Sequence, residues 1–211
     1  MPTQSGPSSH ASGYLDRLSK LIEARLEAGA DKEQIDQRIW DVFGSECAVM
    51  FTDLAGFSRS AAEFGIIHFL QVIYESQRLF SPCIDDWDGI LIKTEGDSML
   101  IVFRQPSKAV ECAIDMQRKA MEYNQDRDEA EQVLLCVGIG FGEVLRIGGA
   151  DVFGAEVNAA AKLGEDTALA WEILVTDSVA RHIKDMPGVS LHDMDFVPHG
   201  AKAAYKLDYE L

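Results

Sequence analysis

The chain has 211 residues, which fits one domain with a short extension, and 47% of them are hydrophobic, enough for a folded core. Its formal net charge of −16 at pH 7 argues against a nucleic-acid-binding protein, because such a chain repels phosphates over most of its surface. No apolar run approaches the ~20 residues of a membrane span and no signal peptide is visible, so we expect a soluble, cytoplasmic protein.

The N-terminal part of the chain differs in composition from the rest. Residues 1–13 are rich in Ser, Pro and Gly and are predicted to be disordered. Residues 14–44 have apolar side chains at helical spacing and predict two helices, the second capped by Asp31. We interpret this extension as packing surface, with a dimerisation or regulatory contact as the alternative. Residues 45–211 form the predicted main domain.

Strands and helices alternate along the main domain. The predicted elements are a strand at 47–52, a helix at 58–80, two strands within 89–103 joined by a turn at Glu95-Gly96, a helix at 106–123, a strand, glycine-rich bend and second strand within 133–149, a helix at 154–163, a strand and helix within 172–183, and a closing hairpin after 189. This order, β-α-β-β-α-β with an added α-β-β tail, predicts an α+β fold with a ferredoxin-like sheet and helices on one face.

Two aspartates come at equivalent ends of predicted strands. Asp53 follows the first strand, and Asp97 lies at the turn between the second and third. Because these strands are neighbours in a β-α-β-β unit, we expect both carboxylates to converge. Oxygen ligands suit Mg²⁺ or Mn²⁺, and backbone amides at the start of the next helix form a ready anion site. Each aspartate alone would be an ordinary turn residue, but together they predict a site for a metal-bound triphosphate.

Three segments, in the same order, resemble motifs of a known family. FTDLAGFS, KTEGDSML, and VGIGFGEV followed by DVFGAEVNAAAKL are similar to the motifs of class III nucleotidyl cyclases, the adenylate and guanylate cyclases. The resemblance runs from about Ser45 to the C-terminus. Any one of these motifs is weak by itself, whereas their combination at the family's order and spacing is specific.

The resemblance implies a two-metal site. Asp53 and Asp97, with the backbone carbonyl of Leu54, would bind two Mg²⁺ or Mn²⁺ ions, one helping to ionise the ribose 3′-hydroxyl and the other holding the triphosphate. The phosphates would be bound by the backbone amides of Ala55, Gly56, Phe57 and Ser58.

The resemblance also implies which residues contact the base, the ribose and the transition state. Lys93 would donate to N1 of adenine and Asp151 would accept from its 6-amino group, which favours ATP over GTP. Asn158 would orient the ribose, and Lys162 stands where the family has an arginine that stabilises the pentavalent phosphorus. In the family each site is divided between two chains, and this chain carries both halves. It is therefore expected to act as a homodimer.

We therefore expect an adenylate cyclase that converts ATP to 3′,5′-cyclic AMP and pyrophosphate. One alternative is a degenerate cyclase-like module that binds nucleotide or regulates a partner. Another is a cyclase acting on GTP or a pyrimidine nucleotide. A diguanylate cyclase is disfavoured, because the turn Glu95-Gly96-Asp97 lacks the Gly-Gly-Asp/Glu-Glu-Phe pattern of those enzymes.

Overall fold

The computed structural model describes residues 9–56 and 64–210, with side chains from residue 13 onward. The helices of these residues are α1 (Ser9–Leu26), α2 (Lys32–Phe43), α3 (Ile66–Asp86), α4 (Pro106–Asn124), α5 (Ala155–Asp166) and α6 (Asp177–Ile183), with a 3₁₀ turn at Glu129–Glu131. The strands are β1 (Gly44–Leu54), β2 (Ile90–Glu95), β3 (Ser98–Phe103), β4 (Leu135–Ile147), β5 (Asp151–Phe153), β6 (Ile173–Thr176), β7 (Val189–Asp193) and β8 (Ala204–Tyr209).

The strands of the described residues form one eight-stranded sheet. Its order is β2-β3-β1-β4-β6-β8-β7, and β5 pairs with the end of β4. β1 is antiparallel to β3 on one side and to β4 on the other, whereas β4 and β6 are parallel. The first four strands with α3 and α4 form the predicted β-α-β-β-α-β unit, and β7 and β8 form the predicted closing hairpin.

The sheet has a hydrophobic layer on each face, because side chains alternate along its central strands. Met50 and Ile101 pack with α3, α4 and α6 on one face, whereas Val49 and Leu100 face α5 on the other through Val157. The expectation that all helices share one face is therefore wrong for α5. This helix follows β5, which turns back along β4 and directs the chain across the opposite face.

β4 is a single strand of 13 residues, where the sequence predicted two strands separated by a bend. Gly138, Gly140 and Gly142 alternate along it, so all three lie on the face covered by α5. A Cβ atom at Gly138 would lie 2.2 Å from the carbonyl oxygen of Ala160. The glycines therefore allow α5 to lie directly on the strand and do not bend it.

Several helices and strands begin or end at residues other than those predicted. β1 is longer than predicted at both ends, so Asp53 is its next-to-last residue and not the first residue after it. α3 begins at Ile66, and residues 57–63, where the sequence predicted its start, lie outside the described residues. α1 begins at Ser9, inside the segment predicted to be disordered, while residues 1–8 are outside the description.

The two N-terminal helices pack against the far end of β4. Their buried side chains form one cluster with that strand, made of Leu21, Ile35, Ile39, Phe43 and Ile147. Arg25 on α1 joins Asp36 on α2 through two hydrogen bonds of 2.5 and 3.0 Å, and this contact lowers the pKa of the aspartate. None of the described helices combines the length and apolarity of a transmembrane segment.

Candidate active site

The carboxylates of Asp53 and Asp97 meet at one edge of the sheet. β1 and β3 pair as far as Thr52 and Met99. Asp53 therefore lies opposite Ser98, the residue that follows Asp97 and the β2–β3 turn. The Ser98 hydroxyl donates to Oδ1 of Asp53 over 3.3 Å, and the carboxylate of Asp97 lies close enough for its charge to raise the pKa of Asp53. The structure therefore brings together two residues that are 44 positions apart in the chain.

The environment of Asp53 and Asp97 disfavours the charged form of both carboxylates. Burial, followed by the charge of Asp97, raises the pKa of Asp53 from 3.8 to about 7 despite the hydrogen bond from Ser98. Burial also raises the pKa of Asp97. Among the described residues, no lysine or arginine forms an ion pair with either carboxylate. Two half-buried oxygen donors without a cationic partner fit a divalent cation.

The described residues contain no group of three or more acidic, histidine or cysteine side chains that could hold a metal ion. Asp53 and Asp97 would therefore hold the ion together with other oxygen atoms, such as the Leu54 carbonyl, substrate phosphates and water. This ligand set is typical of Mg²⁺, which is usually bound by one or two carboxylates plus phosphate oxygens.

A cavity of about 650 Å³ opens beside the carboxylate pair. It is lined by Asp53, Leu54, Ala55, Gly56, Leu134, Cys136, Glu165, Ala168, Leu169 and Ala170. The backbone N–H of Ala55, one of the predicted phosphate donors, donates to the carbonyl of Leu134 over 2.8 Å, because the chain is still paired beside β4 there. Gly56, with φ of 87°, is the first residue after this pairing. Phe57 and Ser58 lie outside the described residues.

Sequence reasoning missed Glu165, a third acidic residue at this cavity. Its pKa is raised, first by burial and also by neighbouring carboxylates that include Asp97, while a contact with Ser98 opposes the shift. Glu165 lies one turn beyond Lys162 on α5, and this spacing is the signal that could have placed it on the same helix face.

Lys93 and Asp151 form the second polar group. Nζ of Lys93 lies 3.3 Å from both carboxylate oxygens of Asp151 and 3.0 Å from Oε1 of Glu95, and these contacts, with Glu95 first, raise the pKa of the lysine. The β2–β3 register shifts between Leu91 and Lys93, so Lys93 pairs with Leu100. This irregularity directs the lysine to the face of the sheet that α5 covers.

Asn158 and Lys162 lie one turn apart on α5, on the side that faces away from the sheet. Both are exposed, and Lys162 forms an ion pair of 3.0 Å with Asp166. Within the described residues, neither side chain has a hydrogen bond to the carboxylate pair or to Lys93 and Asp151. The predicted site residues of one chain thus fall into three polar groups, on β1 and the β2–β3 turn, on β2 and β5, and on α5.

Comparisons with known proteins agree with this architecture. The model of the adenylate and guanylate cyclase catalytic domain family matches residues 43–203. An adenylate cyclase of Streptomyces coelicolor is 30% identical over 161 residues, covering 72% of this chain and 38% of that protein. A protein named putative adenylate cyclase 3 of Rhizobium meliloti is 26% identical, covering 80% of this chain and 26% of that protein.

Among solved structures, an adenylate/guanylate cyclase/hydrolase from Silicibacter pomeroyi superimposes with a TM-score of 0.65 and 26% identity, covering 77% of this chain and 96% of that chain. The chain spans only 16% to 41% of the length of the curated relatives that it matches. In these curated relatives the region shared with this chain is thus part of a longer protein.

Proposed function

Because the chain belongs to the adenylate and guanylate cyclase catalytic domain family, we propose that it is an adenylate cyclase, which converts ATP to 3′,5′-cyclic AMP and pyrophosphate in a homodimer. The observation that carries the choice of ATP is the contact between Lys93 and Asp151, whose charged groups lie 3.3 Å apart although 58 positions separate them in the chain. An ammonium beside a carboxylate offers one donor and one acceptor, which complements N1 and the 6-amino group of adenine.

The metal ions would supply Lewis-acid activation of the ribose 3′-hydroxyl and charge neutralisation of the triphosphate. Asp53 and Asp97, with the Leu54 carbonyl, would hold them. The backbone amides of residues 56–58 would bind phosphate oxygens, whereas the amide of Ala55 is already used by Leu134. Lys93 and Asp151 would fix the adenine.

The chemistry itself is an in-line displacement. The 3′-hydroxyl would give its proton to water, and its oxygen would attack the α-phosphorus while the bond from that phosphorus to the bridging oxygen breaks. Pyrophosphate would leave with the electron pair of that bond. Asn158 would hold the ribose so that the 3′-oxygen faces the phosphorus. Lys162 would donate to the oxygens on which negative charge increases in the transition state, after its contact with Asp166 is released.

The test uses purified protein with ATP, GTP, CTP and UTP, each with Mg²⁺ or Mn²⁺, and identifies cyclic products by mass spectrometry. We expect cyclic AMP as the main product. When Asp151→Ala is compared with wild type, the preference for ATP over GTP should fall by about 1–3 kcal/mol, the cost of losing one polar partner of the base. Predominant formation of cyclic GMP by the wild type would contradict the choice of ATP.

The second candidate, a nucleotide-binding or regulatory module, is favoured by one observation. Lys162 replaces the family's planar guanidinium with a point charge, and Asp166 engages that charge. Nucleotide binding by calorimetry, without any cyclic product under all eight combinations of nucleotide and metal, would support this candidate over the cyclase.

A further inference from the structure

Glu156 closes an open edge of the sheet beneath α5. β4 and β6 pair in parallel as far as Ile139 and Val175, where β6 is about to end. The next backbone N–H of β4 on that side belongs to Phe141, and it donates to Oε2 of Glu156 over 3.1 Å. The carboxylate therefore takes the place of the missing strand as hydrogen-bond acceptor.

The same oxygen atom has a second donor. The hydroxyl of Thr176, a fully buried residue at the end of β6, donates to Oε2 of Glu156 over 2.8 Å. The oxygen of Thr176 lies 2.7 Å from the hydroxyl of Ser178 in α6. Since the Thr176 proton is directed at the glutamate, Ser178 donates to Thr176. One carboxylate oxygen thus links α5 to β4 and to the β6–α6 junction.

The glycines of β4 leave the space that this side chain occupies. A Cβ atom at Gly140 would lie 2.8 Å from Oε2 of Glu156 and 2.5 Å from its backbone oxygen. A Cβ atom at Gly142 would lie 3.1 Å from Cγ of the same glutamate. The two glycines therefore leave room on the strand for the side chain of Glu156. This close contact determines where the N-terminal turn of α5 lies on the sheet.

We propose that Glu156 is the positioning residue for Asn158 and Lys162. Glu156 points into the sheet, whereas Asn158, two residues later on the helix, points away from it. Fixing the first turn of α5 on the sheet therefore fixes the outward direction of both functional side chains. The inference rests on the proposed function, because it assigns Glu156 a role through two residues of that reaction.

The decisive variant is Glu156→Gln, which keeps the size of the side chain and removes its charge. Misplacement of transition-state groups by a fraction of an ångström lowers turnover and leaves ground-state binding intact. We expect kcat to fall at least about tenfold while KM for Mn²⁺–ATP stays within about twofold. Thr176→Val, which removes one donor to the same oxygen, should lower kcat in the same direction. Glu143→Gln, an exposed site on β4, is the matched control and should be unchanged.

A second measurement does not depend on turnover. Amide hydrogen exchange of Glu156→Gln should accelerate in residues 155–166 and stay at wild-type rates in α3 and α4. If wild type makes no cyclic nucleotide, the proposed function fails, and the exchange data still decide whether Glu156 holds α5. The inference would be overturned if Glu156→Gln kept both the wild-type exchange rates in α5 and the wild-type kcat. It would also be overturned if kcat and thermal stability both fell and exchange accelerated throughout the chain.

Discussion

Asp53 is held in an environment that favours its protonated form. Its pKa rises from 3.8 to about 7 through burial and the charge of Asp97. The folded chain therefore binds this proton more tightly than the unfolded chain, and the unfolding free energy of the metal-free protein should fall as pH rises from about 4 to 7. Asp53→Asn removes this contribution and should be more stable than wild type at pH 8 by about 1–2 kcal/mol, below the full shift because the carboxylate is partly exposed.

Urea unfolding of both proteins with EDTA at pH 5 and pH 8 measures this difference. Asp126→Asn, in an exposed loop, is the control for the loss of one surface charge. Adding Mn²⁺ at pH 8 should stabilise wild type more than Asp53→Asn, since only wild type retains both carboxylates. Identical pH dependence of wild type and Asp53→Asn would contradict the perturbed carboxylate.

The proposed role of Lys162 in stabilising the transition state predicts how its variants change kcat. A guanidinium contacts two oxygens in a fixed geometry, so Lys162→Arg should raise kcat with little change in KM for ATP. Lys162→Ala should lower kcat by roughly 10- to 10³-fold, the range for one lost electrostatic donor. Steady-state kinetics with Mn²⁺–ATP measures both, and Lys184→Ala, at the exposed residue directly after α6, serves as the control. Wild-type kcat in Lys162→Ala would remove this residue from the reaction.

At the scale of elements, the contact between α5 and β4 decides where the functional side chains lie. Gly138 has the backbone of α5 directly above it, with Ala160 O at 2.2 Å and Gly164 N at 2.3 Å from the place of a Cβ atom. These are backbone atoms that cannot rotate away, so Gly138→Ala must displace the helix. We expect a loss of about 1–3 kcal/mol in unfolding free energy and a drop in kcat.

The matched control is Gly13→Ala in α1, where a Cβ atom would meet nothing within 4 Å. It should be neutral or slightly stabilising, because alanine is the better helix former. Thermal denaturation of both variants measures the difference. Equal melting temperatures for Gly138→Ala and wild type would show that α5 is not held closely on the strand.

At the scale of the whole molecule, the proposed sites are divided between two chains. In the proposed homodimer, Asp53→Asn would inactivate the metal half of a site and Asn158→Ala would inactivate the ribose half. In a heterodimer of these variants, one site carries both defects and the other carries none. Since random mixing of subunits makes half of the dimers heterodimers, an equimolar mixture should recover about a quarter of wild-type activity.

Native mass spectrometry verifies that heterodimers form, and cyclic AMP production measures recovery. Each variant alone, at the same total concentration, is the control. Heterodimers present without recovered activity would show that each site lies within one chain.

Periodicity and motif spacing in the sequence determined most of the architecture. The alternation of strands and helices predicted the β-α-β-β-α-β unit, and the position of Asp53 and Asp97 at strand ends predicted a carboxylate pair. These inferences succeeded because they depend on local patterns and on a simple pairing of neighbouring strands.

Tertiary structure alone decided the contacts that depend on exact register. The irregularity beside Lys93 directs it to Asp151, the amide of Ala55 is taken by Leu134, and the glycines of β4 lie under α5. Glu156 reaches the amide of Phe141 because the pairing of β4 with β6 ends at Ile139 and Val175. No local pattern encodes these contacts, because a shift of one residue in pairing moves every side chain to the opposite face while leaving the hydrophobic period unchanged.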